Sequence, residues 1–138
     1  MRAREVVISE LVQQWLYKAE ADFGLAGHLV SEERYLNAVG FNSQQAAEKF
    51  LKAFLVQHQV EFAKTHEIGK ILDLVALVDD SVARCLRGAN ALTRYGVEPR
   101  YPSDLPELSL ADAEAAVAHA ARVRTAIYAA LGEPVPPA

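Results

Sequence analysis

The sequence predicts an all-α protein, an antiparallel up-and-down helical bundle of about five helices. Three observations lead there. Apolar residues recur at three- and four-residue spacings along nearly the whole chain, which is the period of one helix face. No stretch shows the strict apolar/polar alternation of a half-buried strand. Turn-forming clusters are short, apart from one segment framed by Pro99, Pro102 and Pro106.

The elements follow in order. A first helix is expected over about Ser9 to Val30, where Ile8, Trp15, Ala19, Phe23, Ala26 and Val30 trace an apolar stripe. Glu32 to Tyr35 form a turn too short to admit anything between two helices, so the second, running to about Gln59, pairs antiparallel with the first. On it Ala46, Ala47, Phe50, Leu51, Phe54 and Leu55 share one side, while Gln45, Lys49 and Lys52 fall on the other. Thr65 is the expected N-cap of a third helix, with Glu67 in its first turn and Ile68, Ile71, Leu72, Val75 and Val78 facing inward. A fourth begins near Asp80 or Ser81, turns Val82, Leu86, Ala89 and Leu92 inward, and ends around Tyr95-Gly96, where glycine suits a left-handed cap. Gly96 to Glu107 form the one long loop. Ser109-Leu110-Ala111-Asp112 resembles a capping box for a last helix through Val117, Ala120, Ile127 and Leu131, stopped by Gly132. The expected organisation is a single helical domain over 1–132 and a disordered Pro-rich tail over 133–138.

Composition narrows the function. A chain of 138 residues is long enough to bury a core without metal or disulfide staples. A net charge of −4 argues against duplex DNA as a partner, since displacing its counterions takes a clustered basic excess. The one cysteine, Cys85, lies in a helical apolar pattern and reads as a buried, reduced thiol. No apolar run reaches the length of a membrane span, and Met1 to Glu10 lacks the apolar core of a signal peptide, so the expected place is the cytoplasm. No metal is expected: the residues three before His28, His58, His66 and His119 are Leu25, Leu55, Ala63 and Ala116, so the Glu-x-x-His pairs of a bundle metal site are missing. No cofactor loop is recognisable either.

Two segments could hold a phosphate. Lys49 and Lys52 give the second helix a cationic face, and Lys64-Thr65-His66 opens the third helix, whose first amides favour an anion. The plainer account of the lysines is a solvated surface, with Glu48 and Lys52, four apart, as a helix ion pair. His66 reads either as a donor to a phosphate or a proton-transfer group, or as a first-turn side chain that fixes the helix entry. Arg100 and Tyr101 could clamp a phosphate and stack on a base, or anchor their own loop. A homodimer is expected because Leu16, Leu25 and Leu29 on the first helix, and Leu36, Val39 and Phe54 on the second, offer more apolar face than three shorter helices cover.

The run Gln44-Gln45-Ala46-Ala47-Glu48-Lys49-Phe50-Leu51-Lys52-Ala53 followed by Lys64-Thr65-His66-Glu67-Ile68 resembles the HEPN domain (higher eukaryotes and prokaryotes nucleotide-binding). Trp15, Ala19, Asp22, Leu25 and Ala26 upstream, and Arg100-Tyr101-Pro102 before an Ala-rich helix, extend the likeness over roughly residues 10 to 131. The resemblance implies a small all-helical dimer that binds nucleotides and is often paired with a minimal nucleotidyltransferase in toxin–antitoxin-like operons. Ribonuclease members of that superfamily carry Arg-x4-6-His and cleave RNA without metal. Here no histidine follows an arginine at that spacing. The expectation is therefore a non-catalytic HEPN protein that binds a nucleotide or phosphorylated ligand through Lys49, Lys52, Lys64, Thr65, His66, Arg100 and Tyr101. The alternatives are a metal-independent ribonuclease toxin with a degenerate site at His66, Arg100 and Tyr101, and a purely structural dimer.

Overall fold

The computed structural model describes residues 2–96 and 107–137. Among them are five α-helices, two 3-10 segments and no strand, the bundle that the apolar periodicity predicts. Helix α1 spans Arg2–Leu29. It begins well before Ser9 because neither proline nor glycine interrupts its first turns, although Val6 and Val7 there are exposed. A 3-10 turn, Glu33–Tyr35, then leads into α2, Leu36–Gln57. This helix stops short of Gln59, which takes a left-handed backbone with φ 56°.

Helix α2 is the axis of the molecule, packed by α1 on one side, α5 on another and by α3 and the second 3-10 segment. Its apolar residues Ala46, Ala47, Phe50, Leu51, Phe54 and Leu55 are buried, as their spacing predicts. Its polar side is not the solvated surface of the plainer account. Gln44, Glu48 and Lys52 are buried too, because the 58–67 loop folds back over them.

Helix α3, Ile68–Val78, follows that loop. Its N-cap position is Glu67 and not Thr65, whose hydroxyl instead accepts from the Glu67 amide. Asp79 caps α4, Asp80–Leu86, by accepting from the Ser81 and Val82 amides. The expected single fourth helix divides here, continuing as a 3-10 segment over Arg87–Tyr95. The three-residue period of a 3-10 helix stacks Arg87, Asn90 and Thr93 on one side, and all three reach α3. Thr93 Oγ1 accepts from the Ile68 amide at 3.0 Å, Asn90 Oδ1 from the Gly69 amide at 2.8 Å, and Arg87 pairs with Asp73. Asn90 comes so close that a Cβ on residue 69 would meet its Oδ1 at 2.9 Å, so a side chain there would have to displace Asn90. Gly96 closes the segment with φ −79°, a right-handed backbone in place of the expected left-handed cap.

Helix α5, Leu110–Leu131, opens with the capping box read from the sequence: Ser109 accepts from the Asp112 amide and Asp112 from the Ser109 amide. It ends at Gly132 with φ 73°, the left-handed cap expected there. From α5, buried Arg124 grips both carboxylate oxygens of Glu20 on α1, and the Tyr128 hydroxyl donates to the same group at 2.9 Å. Burial first, and then the Glu20 carboxylate, push the Tyr128 hydroxyl far above the ordinary phenol range. Arg124 also donates to the Pro136 carbonyl at 2.7 Å, and Gln13 to Glu133 at 2.8 Å, so the 133–137 segment, expected to be disordered, is tied to the bundle at two points.

Other expectations change. Cys85 is exposed, because α4 turns Ala83 and Leu86 inward and Cys85 falls between them. Of the apolar residues expected to be left for a dimer, Leu16, Leu36, Val39 and Phe54 are buried within the chain; Leu25 remains exposed. Arg100 and Tyr101, with their proline frame, lie outside the described residues. No described helix is long and apolar enough to cross a membrane.

Candidate functional site

The polar side of α2 carries Gln44, Glu48 and Lys52 at successive four-residue steps, which stack on one helix face. Glu48 is the hub. Its Oε2 accepts from Lys52 Nζ at 2.9 Å, and its Oε1 meets His66 Nδ1 at 2.8 Å and Gln44 Nε2 at 3.1 Å. Gln44 Nε2 also donates to the His66 carbonyl at 3.0 Å, and Lys52 Nζ reaches the Thr65 carbonyl at 3.5 Å. The ammonium of Lys52 lies 5.8 Å from the Trp15 ring centroid and 5.5 Å from that of Phe62, which meet edge to face. One helix and the loop thus converge on one buried carboxylate, with Trp15 of α1 beside its lysine.

Burial pushes the Glu48 carboxyl upward, but the hydrogen bonds from Lys52, His66 and Gln44 outweigh it and hold the group below the ordinary carboxylate range. A carboxyl whose folded value is depressed stabilises the fold above its unfolded value and loses that contribution as pH falls through the folded one. Urea midpoints should therefore decline as the pH drops below about 4.5, the ordinary value for this group, and Glu48→Gln should flatten that decline.

The residues expected to hold a phosphate separate into groups. Lys52 and His66 meet at Glu48, with Thr65 contributing its carbonyl. Lys49 instead pairs with Asp22 on α1. Lys64 is exposed beside this corner in sequence. The first amides of α3, which would have favoured an anion, donate to Thr93 and Asn90. Arg100 and Tyr101 lie outside the described residues. Among the described residues no three or more His, Cys, Asp or Glu gather at metal-binding range.

Sequence reasoning singled out His66 and missed what holds it. No local signal announced it, because Gln44, Glu48 and Lys52 keep the same four-residue spacing on a solvated helix face.

The model of the HEPN domain matches residues 12–130. The chain belongs to the HEPN family. No curated protein and no solved structure matches it significantly. In this HEPN domain, the run from Gln44 to Ala53 and the Lys64 to Ile68 segment that carry the likeness are the two pieces joined by the Glu48 network. Their pairing gives the motif a structural role: it clips the 58–67 loop to the central helix.

Proposed function

We propose that this HEPN protein works by association and not by catalysis: it forms a homodimer, binds a nucleotide or phosphorylated ligand, and partners a minimal nucleotidyltransferase in a toxin–antitoxin-like pair. The observation that carries the association is the outer face of α1. Val6, Val7, Leu11, Tyr17 and Leu25 are all exposed on this one helix, Tyr17 at 80%. Solvent-facing Val7, Glu10, Gln14, Tyr17, Ala21, Gly24 and His28 share one stripe of that helix, at alternating three- and four-residue steps. A second copy running antiparallel about a two-fold axis between Gln14 and Tyr17 would set Val7 against Gly24, where nothing stands within 4 Å of a Cβ position, and Glu10 against Ala21. Val7 and Glu10 would then each meet a small residue, with Gln14 against Tyr17 at the axis.

Light scattering at micromolar concentration is expected to give about 30 kDa, twice the 15.1 kDa chain mass. Tyr17→Glu, at a position too exposed to disturb the monomer, should return the mass to that of one chain. A wild-type mass of one chain would remove the dimer.

Nucleotide binding is supported by family membership and by the exposed His66 corner beside Lys64. It draws less support from Lys49 and Lys52, whose charges are matched by Asp22 and Glu48. The nucleotidyltransferase partner is supported by the family alone. One observation favours a second reading, the ribonuclease: an imidazole oriented by a carboxylate is the arrangement of a general base. Against it, the chain lacks the Arg-x4-6-His pair.

A further inference from the structure

We propose that Glu48 presents His66 Nε2 as a hydrogen-bond acceptor for a ribose hydroxyl, so that this corner reads the sugar of a nucleotide and not its phosphate. The inference rests on the nucleotide-binding reading above and names the group that meets the chain.

An ionised carboxylate only accepts hydrogen bonds, so the 2.8 Å contact to Glu48 Oε1 requires His66 Nδ1 to donate. In its neutral form the imidazole then carries its one proton on Nδ1 and leaves a lone pair on Nε2. The His66 side chain is 63% exposed while that of Glu48 is 5% exposed, so the buried oxygen fixes a ring that stands in solvent. Among the described residues Nε2 has no hydrogen-bond partner. A lone pair accepts from a hydroxyl and repels a phosphate oxygen, itself an acceptor.

Apart from exposed Lys64, the neighbouring donors that would attract phosphate are already engaged. The Ile68 and Gly69 amides donate to Thr93 and Asn90, Lys52 to Glu48, and Lys49 to Asp22. Glu48 is also held without any ligand, by Lys52 and Gln44, so the acceptor is in place beforehand. The loop backbone has a tie of its own, since Gln44 bonds the His66 carbonyl. Glu48 is thus a positioning residue that sets which ring nitrogen carries the proton.

Nitrogen-15 ring correlations, recorded where the imidazole is neutral, read the tautomer directly. The expected result is a proton on His66 Nδ1 and none on Nε2. Millimolar adenosine should then move the His66 ring signals, with inorganic phosphate leaving them in place. Affinity for adenosine should exceed that for 2′,3′-dideoxyadenosine by roughly 2- to 12-fold, the worth of one net hydrogen bond. In Glu48→Gln the carboxamide can donate as well as accept, so the tautomers should mix and the preference for the ribose should vanish. If that variant does not fold, the wild-type tautomer and the three-ligand comparison decide alone. A proton on Nε2 overturns the proposal, as does phosphate moving the ring where adenosine does not. Calorimetric heat from adenosine triphosphate without movement of His66 overturns it while leaving nucleotide binding intact. Absence of both effects overturns both.

Discussion

Glu48→Ala is expected to cost about 3–5 kcal/mol of stability, because it leaves the Lys52 ammonium buried without its counter-charge. Both side chains are under a tenth exposed, so solvent cannot take over the lost contact. Lys52→Ala should cost a similar amount by stranding the carboxylate, which would keep only His66 and Gln44 as donors. Replacing both charges at once, as Glu48→Met with Lys52→Met, should fall near neutrality, since the desolvation of two ions disappears with their attraction and Trp15 and Phe62 offer an apolar lining. Urea unfolding of the two single variants and the double one measures the coupling. Single variants within about 0.5 kcal/mol of the wild type would mean that the pair is hydrated in solution.

Phe50→Ala should cost about 3–5 kcal/mol, for a different reason. Phe50 is fully buried on the helix that packs against α1, α3, α5 and the second 3-10 segment, and its ring meets Tyr128 edge to face at 5.9 Å. Removing it opens a cavity between α2 and α5 and loosens Tyr128, whose hydroxyl helps hold Glu20 on α1. Three helices therefore lose packing from one substitution. Leu77→Ala, at a site 78% exposed, should stay within about 0.5 kcal/mol and serves as the control. Equal midpoints for the two variants in urea would contradict the placement of α2 at the centre.

How far the sequence carries can be seen residue by residue. The capping box at Ser109 and Asp112 and the left-handed Gly132 were legible because helix ends are local chemistry, decided within four residues. The buried face of α2 was legible from period alone. Its polar face was not, since Glu48 and Lys52 satisfy the same spacing whether water or the 58–67 loop lies over them. The Thr65 cap failed similarly. The 3-10 turn of Arg87–Tyr95 brings Thr93 and Asn90 to the start of α3 from over twenty residues away, and no local pattern announces that contact. At the candidate site, His66 was named from its place beside a helix start, while its partner Glu48 became visible only when the loop closed on the helix.

The claim that this HEPN protein acts by binding meets its most direct test in RNA. Purified protein incubated with transfer RNA in EDTA is expected to leave the RNA intact, because general acid–base cleavage needs a base, an acid and a cation around one phosphate. The Glu48–His66 pair supplies one oriented base per chain, and the first amides of α3 beside it are engaged within the fold. Cleavage that is lost in His66→Ala and retained in Lys18→Ala, a surface change on α1, would contradict the account and make the protein a metal-independent ribonuclease.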